Sequence, residues 1–160
     1  MATVFTIAFT TVAIAAQQDI FSWKALTDSP LTLLAAFIGN VSIEADVGDT
    51  QEQAWGVEIV GGNTTIGSGG SNPTGRPVRS KDVTVLPTTN LRANDTTKVS
   101  AGTRVLLHPD GFNTRTGWQY VPTPECQFIF EAGDGFGAIQ LTTTPGEAIN
   151  MSGVVYLLQT

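Results

Sequence analysis

A chain of 160 residues is the length of one ordinary domain with a real core, and its 41% apolar share is that of a globular protein. Only 14% of the residues are charged, so surface polarity must come largely from Thr, Ser, Asn, Gln and Gly, which suits strands and turns better than helices. A net charge of −6 argues against general nucleic-acid binding, and the single cysteine, Cys126, excludes an internal disulfide framework and a four-cysteine zinc site.

In chain order, Val4 to Ala16 is apolar and ends Ala13-Ile14-Ala15-Ala16, but no Lys or Arg precedes it and threonines interrupt it. It reads as a strand, not a signal peptide. Phe5, Ile7 and Phe9 alternate with Thr6, Ala8 and Thr10, and the apolar face resumes at Val12 and Ile14 after the extra residue Thr11. That pattern predicts a long strand with a bulge or a change of partner. Ile20 to Leu26 is a second strand, and Thr27 to Pro30 a turn. Leu31 to Ile43 is strand-rich; Leu33 to Phe37 fits either a helical turn or a strand carrying an extra residue. Glu44 to Glu52 is an acidic loop. Trp55 to Val60 alternates again and Gly61-Gly62-Asn63 closes it. Gly67 to Asn72 is flexible by composition, and Pro73 to Ser100 has little periodicity apart from a short strand at Val83 to Leu86. Strands return at Thr103 to Leu107, Thr116 to Tyr120, Cys126 to Glu131, Gly137 to Thr142 and Ile149 to Leu158. Turn signals at Asp110-Gly111, Pro122 to Pro124, Asp134-Gly135 and Pro145-Gly146 separate them. The consecutive apolar run Val154 to Leu158 predicts a strand covered on both faces, at the centre of a sheet or at a subunit contact. No apolar run reaches the roughly 18 residues of a membrane span. The expectation is an all-β single domain over residues 1–160, an antiparallel β-sandwich, with residues 63–100 as an extended loop or arm.

Charge is unevenly placed. Arg76, Arg79, Lys81, Arg92, Lys98, Arg104 and Arg115 fall in one stretch against three acids, giving that stretch +4 and the remainder −10. A positive, poorly patterned arm on an acidic body is the pattern of a part that lies on another acidic surface.

Catalytic patterns are weak. His108 is the single histidine and has no Gly-x-Ser-x-Gly elbow to serve, so it reads as structural. Cys126 starts the apolar run Cys-Gln-Phe-Ile-Phe and reads as a small hydrophobe. Glu44, Asp46, Asp49 and Glu52 have hard-cation chemistry but lack the Asp-x-Asp-x-Asp-Gly spacing, and read as a solvated loop. Gly67 to Gly70 lacks the Lys-Ser/Thr of a phosphate loop and reads as a hinge. A carboxylate pair distant in sequence remains open, as for a hydrolase. Trp23, Trp55, Trp118 and Tyr120 read as core or subunit contact ahead of a sugar-stacking platform. The four Asn-x-Ser/Thr sequons at Asn40, Asn63, Asn94 and Asn150 read as chance in a threonine-rich chain.

Two runs carry a resemblance. Gly61 to Pro77 (GGNTTIGSGGSNPTGRP) and Phe112 to Glu125 (FNTRTGWQYVPTPE) are similar to a group of small virion proteins of tailed bacteriophages. The Thr/apolar N-terminal strand and the C-terminal Met-Ser-Gly-x-Val-Tyr fit the same pattern; Cys126 and the Gly133 to Gly137 turn do not match it. By analogy with phage parts of this size, the resemblance implies a capsid cement or decoration protein on the capsid surface. It implies a jelly-roll-like fold, assembly as a homotrimer on the major capsid protein, no catalytic set and no cofactor. Partner contacts are then expected at Arg76, Arg79, Lys81, Arg92, Trp118, Tyr120 and Tyr156, with neither nucleic acid nor membrane as partner. The alternative is a carbohydrate-binding or host-recognition domain of a head fibre or tail.

Overall fold

The computed structural model describes residues 2–41, 53–79, 81 and 88–160. Among them the chain forms β1 (Thr3–Ile14), β2 (Asp19–Lys24), β3 (Leu31–Asn40), β4 (Ala54–Thr65), β5 (Arg76–Pro77), β6 (Leu91–Asp95), β7 (Ser100–Asn113), β8 (Trp118–Tyr120), β9 (Phe128–Phe130), β10 (Phe136–Leu141) and β11 (Ile149–Gln159). One sheet runs β5-β1-β11-β3-β8, with β9 also on β3; the other runs β6-β2-β10-β4-β7. Every pairing is antiparallel. The expected antiparallel sandwich is therefore the observed one. The expected acidic loop at Glu44 to Glu52 and short strand at Val83 to Leu86 lie outside the described residues. Among the described residues no helix is long and apolar enough to cross a membrane.

Alternation in the sequence becomes two faces in the fold. Phe5, Ile7 and Phe9 of β1, and Trp55, Val57 and Ile59 of β4, point into one core between the sheets. The parity change in β1 is a bulge. Its register against β11 shifts between Phe9 and Val12, and Thr11 takes a φ of 52°. The Thr11 amide donates to Ser152 Oγ at 3.0 Å, which holds that unusual backbone in place. The same device resolves the ambiguity in β3: Ala35 faces Tyr156 and Leu33 faces Leu157, so Leu34 is the extra residue of a strand, not part of a helical turn. β11 is central in its sheet, between β1 and β3, but it is not covered on both faces as expected. Val155 and Leu157 point into the core, while Val154, Tyr156 and Leu158 on the outer face are only half-buried, because pairing on both edges leaves the outer face of a two-layer sandwich open.

Three boundaries differ from the sequence reading. Gly61-Gly62 does not end its strand; β4 continues through an irregularity to Thr65, with Gly62 at φ 82°. Asp110-Gly111 is not a turn but lies within β7, paired with Val57 and Gly56. The reversal comes after Asn113, where Gly117 at φ 72° leads into β8. Residues 63–100, expected as an extended arm, are largely laid on the body in their described parts. Asn63 to Thr65 finish β4, β5 adds to β1, and β6 adds to β2.

Inside the core, Trp23 and Phe130 meet edge to face, 5.3 Å between centroids, one from each sheet. They fit because Gly137, opposite Trp23 in register, has no side chain. A Cβ there would stand 2.4 Å from Trp23 Nε1 and 2.6 Å from the Phe130 ring. Gly137→Ala should therefore lower the free energy of unfolding by about 1–3 kcal/mol in urea titrations, the cost of overpacking. Gly39→Ala, at a site with open space around it, should change it by less than about 0.5 kcal/mol. Equal effects of the two changes would contradict this packing.

Candidate assembly surface

The two ends of the sheet order have different chemistry. On one side β5 is a two-residue edge strand on β1, tied by Val78 N–H to Val4 O at 2.9 Å. Arg76, Arg79 and Lys81 are all exposed, and among the described residues none of them forms an ion pair. Between them Val78 is 58% exposed. Arg76, Val78 and Arg79 thus stand exposed on or just past one short edge, with exposed Lys81 two residues further along the chain.

Arg92, expected among the partner-facing cations, does not join them. Its Nε and Nη2 donate to the two oxygens of Asp95, each at 2.6 Å, and its Nη1 donates to Asn72 Oδ1. The Asp95 contact holds its guanidinium above the usual range. Asp95 also accepts from Gly70 N–H at 3.0 Å. Ser71 exchanges two backbone hydrogen bonds with Ala93, and Ser68 two with Thr97. Arg92 is thus a clamp that fastens the Gly-Ser-Gly-Gly-Ser run to the body. The glycines are there for close approach, not as a hinge: a Cβ on Gly70 would lie 2.2 Å from Ala93 O.

Trp118 and Tyr120, also expected as partner contacts, are core residues, 5% and 8% exposed. Trp118 stacks on Tyr120 and Tyr120 on Phe128, while Trp118 Nε1 donates to Asp110 Oδ2 at 3.0 Å. That bond and the Gly111 N–H hold the Asp110 carboxyl below its ordinary range. Large aromatic surfaces gain more from burial than from waiting for a ligand, and Trp23 and Trp55 are buried as well. No stacking platform for sugars exists on these four side chains. Tyr156 is half-buried, on the same sheet as Phe37 and edge-to-face with it at 6.2 Å. His108 lies against the Tyr120 ring and 3.7 Å from Asp110. Cys126 is exposed, in a short helical turn ahead of β9 rather than inside the strand. Asn63 and Asn94 are buried, so two of the four sequons are closed to modification in the folded chain.

The opposite edge holds a feature that the sequence reading missed. Between β7 of one sheet and β9 of the other lies an open groove of about 490 Å³, lined by Val105, Leu107, Ile129 and Phe130 together with Gly61 and Gly62. Ile129 is 61% exposed and Val105 48%. Asp134 lines the groove, and exposed Glu131 begins the same turn. The available signal was Val105-Leu106-Leu107, three apolar residues in a row on a strand that the fold leaves at an edge.

Among the described residues, the fold brings two carboxylates distant in sequence together at Asp19 and Asp95, register partners on β2 and β6. Neither has any exposed surface. Asp19 accepts from Val99 N–H and from Gln140 Nε2, both at 2.7 Å. A substrate cannot reach carboxylates sealed in this way, so the pair does not have the open cleft of a hydrolase. Burial pushes the Asp19 carboxyl up to about 6, against the two hydrogen bonds, with nearby Asp95 adding to the rise and Lys98 opposing it. A raised carboxyl favours the fold while neutral, so its contribution is complete below its ordinary value of 3.8 and lost as the pH climbs through about 6. In Asp19→Asn, Gln140 can turn its amide to accept. Relative to the parent, the variant should gain about 2–3 kcal/mol between pH 4 and 7.5, at about 1.4 kcal/mol per unit. Unfolding titrations across that range check it; a difference independent of pH would contradict the burial argument. No family model matches this chain, and neither a curated protein nor a solved structure is significantly similar to it.

Proposed function

We propose that this chain is a structural protein of a tailed-phage virion, a cement or decoration protein that holds the capsid surface together by non-covalent contacts. The observation that carries the reading is the exposure of Arg76 and Arg79 at a short edge, with exposed Lys81 close behind them in the chain, on a protein whose net charge is −6. These cations meet carboxylates of neighbouring shell subunits, both copies of this chain and the major capsid protein, and the chain assembles as a homotrimer. The order of strands supports reading the sandwich as a jelly roll. Leaving out β5, β6 and β9, the sheets run β1-β11-β3-β8 and β2-β10-β4-β7, the arrangement left by two Greek keys folded together. The glycan-binding alternative loses its basis with the burial of Trp23, Trp55, Trp118 and Tyr120.

Charge alone does not hold such a contact. Three exposed ion pairs contribute on the order of 1–2 kcal/mol, whereas micromolar attachment needs about 8 kcal/mol. Apolar surface such as Val78 must supply much of the remainder.

Purified chain mixed with empty shells of the phage's major capsid protein should co-sediment at low ionic strength. Binding should weaken at about 0.5 M salt, where the screening length is shorter than at physiological strength. Arg76→Glu with Arg79→Glu should weaken it by about tenfold or more. Failure of the parent chain to bind, or binding that ignores both salt and charge reversal, would refute the reading.

A further inference from the structure

We propose that the cationic edge of one copy docks in the acid-rimmed apolar groove of the next, head to tail. This rests on the reading of the edge as an assembly surface and names its partner as a second copy of the chain.

The two surfaces match in chemistry. The donor edge presents Val78 between Arg76 and Arg79, with Lys81 beyond. The receiving groove has apolar walls at Val105, Leu107 and Ile129; Asp134 lines it, and exposed Glu131, hydrogen-bonded to Asp134 across the same turn, adds a second acid beside it. Arg104, the cation of β7 nearest the groove wall, is already paired with Glu58 and leaves the rim acidic. Gly61 and Gly62 are among the lining residues, and neither adds a side chain to fill the groove.

The fold places the two surfaces where a molecule cannot satisfy itself. β5 ends one side of its sheet, while β8 and β9 lie on the other, beyond β1, β11 and β3. At about 4.8 Å per strand spacing, the edge stands roughly 19 Å from the groove side. Docking is therefore between copies and heterologous, each molecule using one surface of each kind, which closes into a ring or continues as a chain. Pro77 in the donor edge has no N–H to give to a ladder, so the contact is made by side chains and not by adding a strand to β7.

Between two copies that each carry −6, unlike attachment to a shell, salt is a poor probe, since it screens both the local attraction and the repulsion between like-charged bodies; a charge swap isolates the contact. The full-length chain should self-associate in sedimentation equilibrium at concentrations up to about 200 µM. Arg79→Glu and Glu131→Lys, both at exposed positions, should each raise the dissociation constant about tenfold. The double variant should return to within about threefold of the parent. Val78→Ser should weaken association with an unchanged circular dichroism spectrum. A parent chain monomeric at about 200 µM, single reversals without effect, or a double variant weaker than either single would overturn the docking. A monomeric parent that still binds capsid shells overturns this inference alone. A self-associating parent that ignores shells supports the docking and overturns the virion reading.

Discussion

Two sheets can lie face to face here because large aromatic side chains from both fit over backbone that carries no side chain at the point of contact. Trp23 projects from β2, Phe130 from β9, and Gly137 on β10 leaves the space in which they meet. Gly153 does the same on the other sheet, where a Cβ would stand 2.7 Å from the Phe9 ring and 3.2 Å from Phe21. Phe9 and Phe21 in turn pack 5.3 Å apart across the sandwich. The core is thus built from paired large and absent side chains, and its depth follows from that pairing. β10 and β11, the strands that carry these glycines, are the third members of their five-strand orders, so the whole sandwich is hung on them.

A sandwich of this kind has edges that must be managed. On the β1 and β2 side, β5 and β6 cover the sheet ends, and the row of buried Asp19, Asp95 and Gln140 with half-buried Arg92 fastens β6 and the glycine-rich run to the body. On the β7 and β9 side the sheets part, leaving apolar walls open to solvent. The polar row is costly, as the raised Asp19 carboxyl shows, yet each of the two acids receives at least two hydrogen bonds. What it provides is position: the glycine-rich run is brought against β6, and the chain beyond it can then lie along β1 with Arg76, Val78 and Arg79 turned outward.

The strands were largely legible because a half-buried strand repeats every two residues. Even the break at Thr11 was readable, since one extra residue reverses the alternation and must be absorbed by a bulge. Leu34 was half legible: an extra residue in a strand and a turn of helix place the same few side chains similarly over so short a stretch. The Gly-Ser-Gly-Gly-Ser run was misread because glycine permits both freedom and close approach, and composition does not separate the two. Asp110-Gly111 was misread as a turn for a related reason; its favourable turn chemistry yields to ten register pairs between β4 and β7. Of the residues expected to meet a partner, Arg92, Trp118 and Tyr120 are taken up within the molecule. Arg76, Arg79 and Lys81 remain exposed.

By itself the sequence determined the class of structure and the separation of charge, because alternation, turn residues and the count of acids and bases are properties of neighbouring positions. Tertiary structure decided which cations stay exposed, which aromatics are buried and where the groove opens. Those outcomes depend on residues far apart in the chain, such as Asp19 with Gln140, 121 positions on, and Arg92 with Asn72, 20 positions back. Val105, Leu107 and Ile129 form one surface only because β7 and β9 close opposite sheets on the same side, and no local pattern carries that information.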